Sequence, residues 1–123
     1  MTNNDLFTQI RVRTFTAATD QVAYSVAMTA DGTTYATGII NRYTRGSYDC
    51  FVTRLTSFLE RVYFKTFGTT LNEQCLSIQV TRNNDYIYIG GQRVNGANTE
   101  IFFVKLTALA DQYALNIKYI AYT

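Results

Sequence analysis

The chain has 123 residues, 47% of them hydrophobic, with 11 basic and 9 acidic side chains and a net charge of +2. That is enough apolar material for one packed domain and excludes a disordered tail, while so small a charge leaves no concentrated basic face and argues against nucleic acid as a partner. Histidine, proline and tryptophan are absent, which removes the commonest general base and metal ligand and the best stacking ring for sugars, and so argues against catalysis, a metal or other cofactor, and lectin activity.

In chain order, the opening Met1-Thr2-Asn3-Asn4-Asp5 lacks the basic start and apolar core of a signal peptide, and no run approaches a membrane span. Cytoplasmic and processed extracellular locations both stay open. Residues 7–15, carrying Phe7, Ile10, Val12 and Phe15, read as a first strand. Val22, Tyr24, Val26 and Met28 then alternate with Ala23, Ser25 and Ala27, Asp31-Gly32 supplies turn chemistry, and a strand follows over 34–40. One face of the 22–28 strand is large and apolar and the other small, which suits close approach of a neighbouring sheet. After a loop over 41–48 come strands over 50–56 and 60–67. The plan is then copied: Gln74, Leu76, Ile78 and Val80 alternate with Cys75, Ser77 and Gln79, a turn falls at Asn83-Asn84-Asp85, and strands are predicted over 86–90, 101–107 and 112–117. No segment carries a helical stripe, so the fold class is all-β.

The copying is measurable. Thr14-Phe15 recurs as Thr66-Phe67, Ser25-Val26 as Ser77-Ile78, Thr29 as Thr81 and Gly38 as Gly90, all at an offset of 52 residues, and the run from Asp49 to Thr56 returns from Glu100 to Thr107 at an offset of 51. A period near 50 marks repeated units that cannot bury their apolar faces alone. Residues 7–15 also align with residues 59–67. The chain thus reads as one two-unit module over 1–123: a surplus strand at 7–15, a first repeat at 22–67 and a second at 74–118. Cys50 and Cys75 fall at unmatched repeat positions, opposite Ile101 and Ala23. Because those counterparts are apolar, two buried free thiols are favoured over a disulfide.

Four short antiparallel strands per 40–50 residues make a β-propeller blade. The pattern Tyr24-Ser25-Val26-Ala27, Asp31-Gly32, Tyr35-Ala36-Thr37-Gly38, Asp49-x-Phe51-Val52-x-Arg54-Leu55 and Lys65-Thr66-Phe67-Gly68 resembles the β-propeller repeat called SBBP, over about residues 1–118. The second repeat departs from it by Asn83-Asn84 in place of Asp-Gly and by lacking the Lys-Thr-Phe-Gly ending. The resemblance implies a fold and a repeated binding surface, not an activity.

Closed propellers have about 4–8 blades. A lone pair leaves an apolar face uncovered at each end, and six large side chains left wet at about 1.5–3 kcal/mol each would cost on the order of 9–18 kcal/mol, as much as a domain's whole stability. The expectation is a homo-oligomer, completed head to tail, with a trimer favoured, then a tetramer, and an open fibre as rival. Phe7, Ile10, Val12 and Phe15 are the candidate assembly strand.

Candidate ligand-binding residues lie on the two longest loops, 41–48 and 92–99: Arg42, Arg45 and Arg93 for anions, Tyr43 and Tyr48 for stacking, Asn95 and Asn98 for hydrogen bonds. A glycan is the partner they would suit. Asp49 and Glu100 share one repeat position and read as structural carboxylates, a blade's width apart rather than a catalytic pair. Tyr24 and Tyr35 read as blade packing, and Tyr86 and Tyr88 as an inter-blade or inter-subunit surface. The sequence therefore points to a non-enzymatic structural or adhesive subunit forming a ring or fibre, the alternative being a small lectin-like propeller that binds carbohydrate or anions.

Overall fold

A computed structural model describes residues 12–15, 19–42, 47–108 and 116–122, with residues 42, 47 and 116–122 described by backbone alone. Eight strands run β1 (Gln21–Met28), β2 (Thr34–Arg42), β3 (Ser47–Leu55), β4 (Arg61–Phe67), β5 (Asn72–Val80), β6 (Tyr86–Asn95), β7 (Asn98–Thr107) and β8 (Asn116–Tyr122). They form two four-stranded antiparallel sheets, β1-β2-β3-β4 and β5-β6-β7-β8. The protein is all-β, and no helix among the described residues is long and apolar enough to cross a membrane.

Tight turns set each hairpin. At β1–β2 the Gly32 N–H donates to the Thr29 carbonyl (2.9 Å) and the Thr29 N–H to the Thr33 carbonyl (3.0 Å), with Gly32 at φ 88°. At β5–β6 the Asn84 N–H donates to the Thr81 carbonyl (3.0 Å), but the Thr81 N–H closes on Tyr86 (2.9 Å), one residue further along. Asn84 takes the left-handed position at φ 62°, which asparagine tolerates better than most residues. This extra residue moves the repeat. Ala27 pairs with Tyr35 as Gln79 pairs with Tyr88, Tyr35 with Arg54 as Tyr88 with Lys105, and Cys50 with Phe67 as Ile101 with Ile120. The offset is thus 52 for β1 and β5, 53 for β2 and β6, 51 for β3 and β7, and 53 for β4 and β8.

Two sequence alignments are corrected by that register. Gly38 corresponds to Gly91, not Gly90: a Cβ on Gly38 would stand 1.8 Å from the Val22 carbonyl oxygen, and one on Gly91 2.1 Å from that of Gln74. Each glycine admits the backbone of the bulged edge strand beside it, the bulges lying between Ala23 and Ser25 and between Cys75 and Ser77. The last strand is Asn116–Tyr122 rather than 112–117, which puts Lys118-Tyr119-Ile120 at the register of Lys65-Thr66-Phe67.

The core lies between the sheets. Tyr35, Cys50, Val52 and Phe67 of the first meet Cys75, Ile78, Ile87, Ile89, Phe102, Val104 and Leu106 of the second. The bulge in β5 turns Cys75 and Ile78 to the same side although their spacing in a regular strand would oppose them. β5 lies against β1, β2 and β3, close enough at β1 for the Ile78 N–H to donate to the Ser25 hydroxyl (3.2 Å). Small Ser25 and Ala27 permit this approach.

Cys50 and Cys75 are joined by a disulfide with Cα atoms 5.5 Å apart, overturning the expected free thiols. They need not be repeat equivalents to meet, because the bond joins the facing surfaces of two successive units rather than like positions within them. It ties β3 to β5 across the core.

Candidate functional site

Three carboxylates are buried between and beside the sheets, Asp49, Glu73 and Glu100. Asp49 sits under Gly68, where a Cβ would stand 2.3 Å from its Oδ1, so the glycine provides its space. Glu73 Oε1 accepts from both the backbone N–H (2.9 Å) and the hydroxyl of Thr69. Burial pushes the Glu73 pKa up, with the negative charge of Asp49 adding to the rise and the Thr69 hydrogen bonds and Arg93 opposing it. Glu100 is held the other way. The Asn95 amide donates to its Oε1 (3.0 Å) and Arg93 Nε to its Oε2 (2.8 Å), with Nη2 also on Oε2, and these donors lower its pKa. Among the described residues, no three histidine, cysteine, aspartate or glutamate side chains are grouped to hold a metal ion.

The rim residues are distributed differently from the loop picture. β6 and β7 continue to a two-residue turn at Gly96-Ala97, with Gly96 at φ 61°, so Arg93, Asn95 and Asn98 stand on strands. Long alternation-free stretches read as loops because polar side chains hide the strand period there. Arg93 and Asn95 are engaged by Glu100, and Asn98 pairs with Asn95 across the turn. Tyr48 lies on β3, where its N–H donates to Asn72 Oδ1 (3.1 Å). Arg42 ends β2, while Tyr43 and Arg45 lie outside the described residues.

Of the expected assembly strand, Phe7 and Ile10 lie outside the described residues, and 12–15 form no strand. Val12 is exposed. Phe15 packs under the Arg61 guanidinium (4.4 Å to the ring centroid), which also covers Phe64 (4.9 Å), and Phe64 stacks on Phe51 (5.0 Å). These contacts close the β3–β4 half of the first sheet's outer face.

The β1 half of that face stays open. Val26 and Met28 are 65% and 68% exposed, whereas their counterparts in β5, Ile78 and Val80, face the first sheet, Ile78 being 4% exposed. The same holds at the far side. Tyr35 and Arg54, which the first sheet turns toward the second, correspond to Tyr88 and Lys105, which face away from the first sheet. Arg54 lies over Tyr35 (5.6 Å) as Lys105 lies over Tyr88 (5.7 Å). Phe103, the counterpart of buried Val52, is 55% exposed. Tyr86 and Tyr88 are exposed with Ile87 and Ile89 buried behind them, but Tyr24 is half exposed rather than packed, because the bulge beside it breaks the alternation. Like faces thus point one way along the molecule.

No protein-family model and no curated protein matches the chain.

The candidate site is accordingly a pair of surfaces. One is the open outer face of the edge strand β1 in the first sheet, the other the rear face of the second, and each is the repeat equivalent of a surface buried at the junction between the sheets. Sequence reasoning named Tyr86 and Tyr88 but missed Lys105 and Phe103; comparing Lys105 with Arg54 in the 51-residue repeat was the signal that would have found them.

Proposed function

We propose that the chain is a non-enzymatic structural or adhesive subunit, two β-propeller blades that stack head to tail on further copies. One observation carries this reading: the open β1 side of the first sheet's front and the open rear of the second sheet are the repeat equivalents of surfaces buried between the sheets, in the same orientation. The rear of one copy's second sheet thus matches the β1 side of another copy's first, next to Phe51, Thr53 and Leu55, which the chain already buries. Such a heterologous contact closes into a ring when the rotation per copy divides a circle and otherwise grows a fibre. Closure at three copies, giving six blades, is the favoured stoichiometry. The resemblance to SBBP repeats agrees with this reading. The carbohydrate- or anion-binding alternative draws less support, because Arg93 and Asn95 are already committed to Glu100.

Light scattering at micromolar concentration tests it. The native mass is expected at a multiple of 14.0 kDa, and Val26→Asp is expected to lower it without unfolding the chain, since Val26 is open in the single copy but would carry a buried, unpaired carboxylate in the stack. A folded wild-type monomer overturns the proposal.

A further inference from the structure

At the junction between the sheets, two side chains of the first sheet grip hairpin ends of the second. The Tyr35 hydroxyl donates to Asn84 Oδ1 (2.7 Å) and Arg54 Nη1 to the Ala108 carbonyl (3.0 Å). The rear face of the second sheet carries the equivalent pair, Tyr88 and Lys105, with the Lys105 ammonium held over the rings of Tyr86 (4.3 Å) and Tyr88 (5.7 Å). What it would grip is set by the same repeat. Asn84 corresponds to Gly32, both left-handed and both donating to the carbonyl of the threonine three residues before.

The Gly32 carbonyl already accepts from the Thr34 hydroxyl (3.1 Å), and glycine has no side-chain acceptor to offer Tyr88. Its neighbour Asp31 does, an exposed carboxylate whose Oδ1 is oriented by the Thr29 hydroxyl (2.5 Å) and the Thr33 N–H (3.0 Å). Those hydrogen bonds, Thr29 first and assisted by the Asn84 side chain, hold its pKa down to about 2, so it is an anion at neutral pH. The Ala108 carbonyl that Arg54 grips corresponds to that of Ser57, which lies against Gly32, so the repeat brings Lys105 to this same turn, where the anion Asp31 stands next to the position of the neutral acceptor Asn84. Charge complementarity and continuity with the inner junction therefore select the same occupant.

We propose that Tyr88 and Lys105 form a latch for the Asp31 turn of a second copy of this chain, and that this pairing fixes the direction of stacking. The inference rests on the head-to-tail reading above. It makes Lys105 and Asp31 the specificity-determining charges of the contact, because the reverse or face-to-face arrangement leaves both unpaired.

The test is a charge swap followed by sedimentation over a concentration series. Lys105→Glu and Asp31→Lys are each expected to raise the apparent dissociation constant of the assembly about tenfold, and the combined variant to return to within about threefold of wild type. Asp31→Asn keeps Oδ1 as the acceptor for Thr29 and Thr33 while removing the charge and making the second oxygen an amide donor, so its weakening separates loss of the latch from damage to the turn. Wild-type oligomers whose affinity ignores Lys105→Glu and Asp31→Asn overturn the latch and leave the stack standing. A combined variant no tighter than the single ones also overturns it. A wild-type monomer overturns both.

Discussion

Reducing the Cys50–Cys75 bond removes a cross-link while leaving both sulfur atoms in the core, so the change in stability reports the tether rather than the packing. The two residues are 25 apart in sequence. In the chain-entropy model, releasing a loop of that length restores about 3.5 kcal/mol of freedom to the unfolded state at 25 °C. With an m-value of about 1.5–2 kcal/mol/M for a chain of this size, the urea midpoint should fall by about 2 M. The assay is urea unfolding followed by circular dichroism, with and without a strong thiol reductant, at one protomer concentration, because any assembly makes the midpoint depend on concentration. Both cysteines are fully buried, so reduction is carried out unfolded and the chain then refolded under reductant. An unchanged midpoint would refute the reasoning, as would the titration of two thiols in urea without reductant.

Two further predictions probe register and burial. Gly91→Ala drives a Cβ to 2.1 Å from the Gln74 carbonyl oxygen, whereas Gly90→Ala places one 3.8 Å from the Phe103 ring; thermal melts should show the first destabilised by several degrees or unfolded and the second close to wild type, and equal effects would restore the 52-residue alignment of Gly38 with Gly90. Glu73→Gln should stabilise the protein at pH 7, because burial raises the folded pKa of Glu73 and the folded state must otherwise hold the ionised form. Wild type recovers that stability as the pH falls, fully below the ordinary value of 4.5, so the advantage of the variant should vanish in urea midpoints measured there. A variant less stable than wild type at pH 7 would mean that Arg93 outweighs burial.

The strand plan was legible because alternation is a local property. β1, β2, β3 and β4 and the starts of β5, β6 and β7 fall within a few residues of where the apolar period places them. Extensions of β6 and β7 to the Gly96-Ala97 turn were not legible, since Arg93, Asn95 and Glu100 satisfy one another through polar contacts that leave no apolar trace. The disulfide was hidden for a different reason. Cys50 and Cys75 face each other only because one unit's rear packs on the next unit's front, a relation between units that comparing like positions conceals. The single extra residue in the β5–β6 turn was likewise invisible until the closing hydrogen bond at Tyr86 was seen. Among candidate site residues, the tyrosines on β6 were legible from their shared face, while Lys105 gives no signal in the apolar period and stands out only by its register with Arg54.

The stacking of like faces is tested most directly by moving the disulfide from the inner junction to the outer one. Cys50 corresponds to Ile101 on the rear of the second sheet, and Cys75 to Ala23 on the front of the first. At the inner junction the two Cα atoms are 5.5 Å apart, within the range a disulfide requires. Ala23→Cys and Ile101→Cys chains, prepared separately with the native disulfide intact and then mixed and oxidised, should give a covalent dimer of one variant with the other. Neither variant alone should cross-link, and a chain carrying both changes should give a ladder of multiples of 14.0 kDa. Cross-linking of either single variant with itself, or none in the mixture, would contradict head-to-tail assembly.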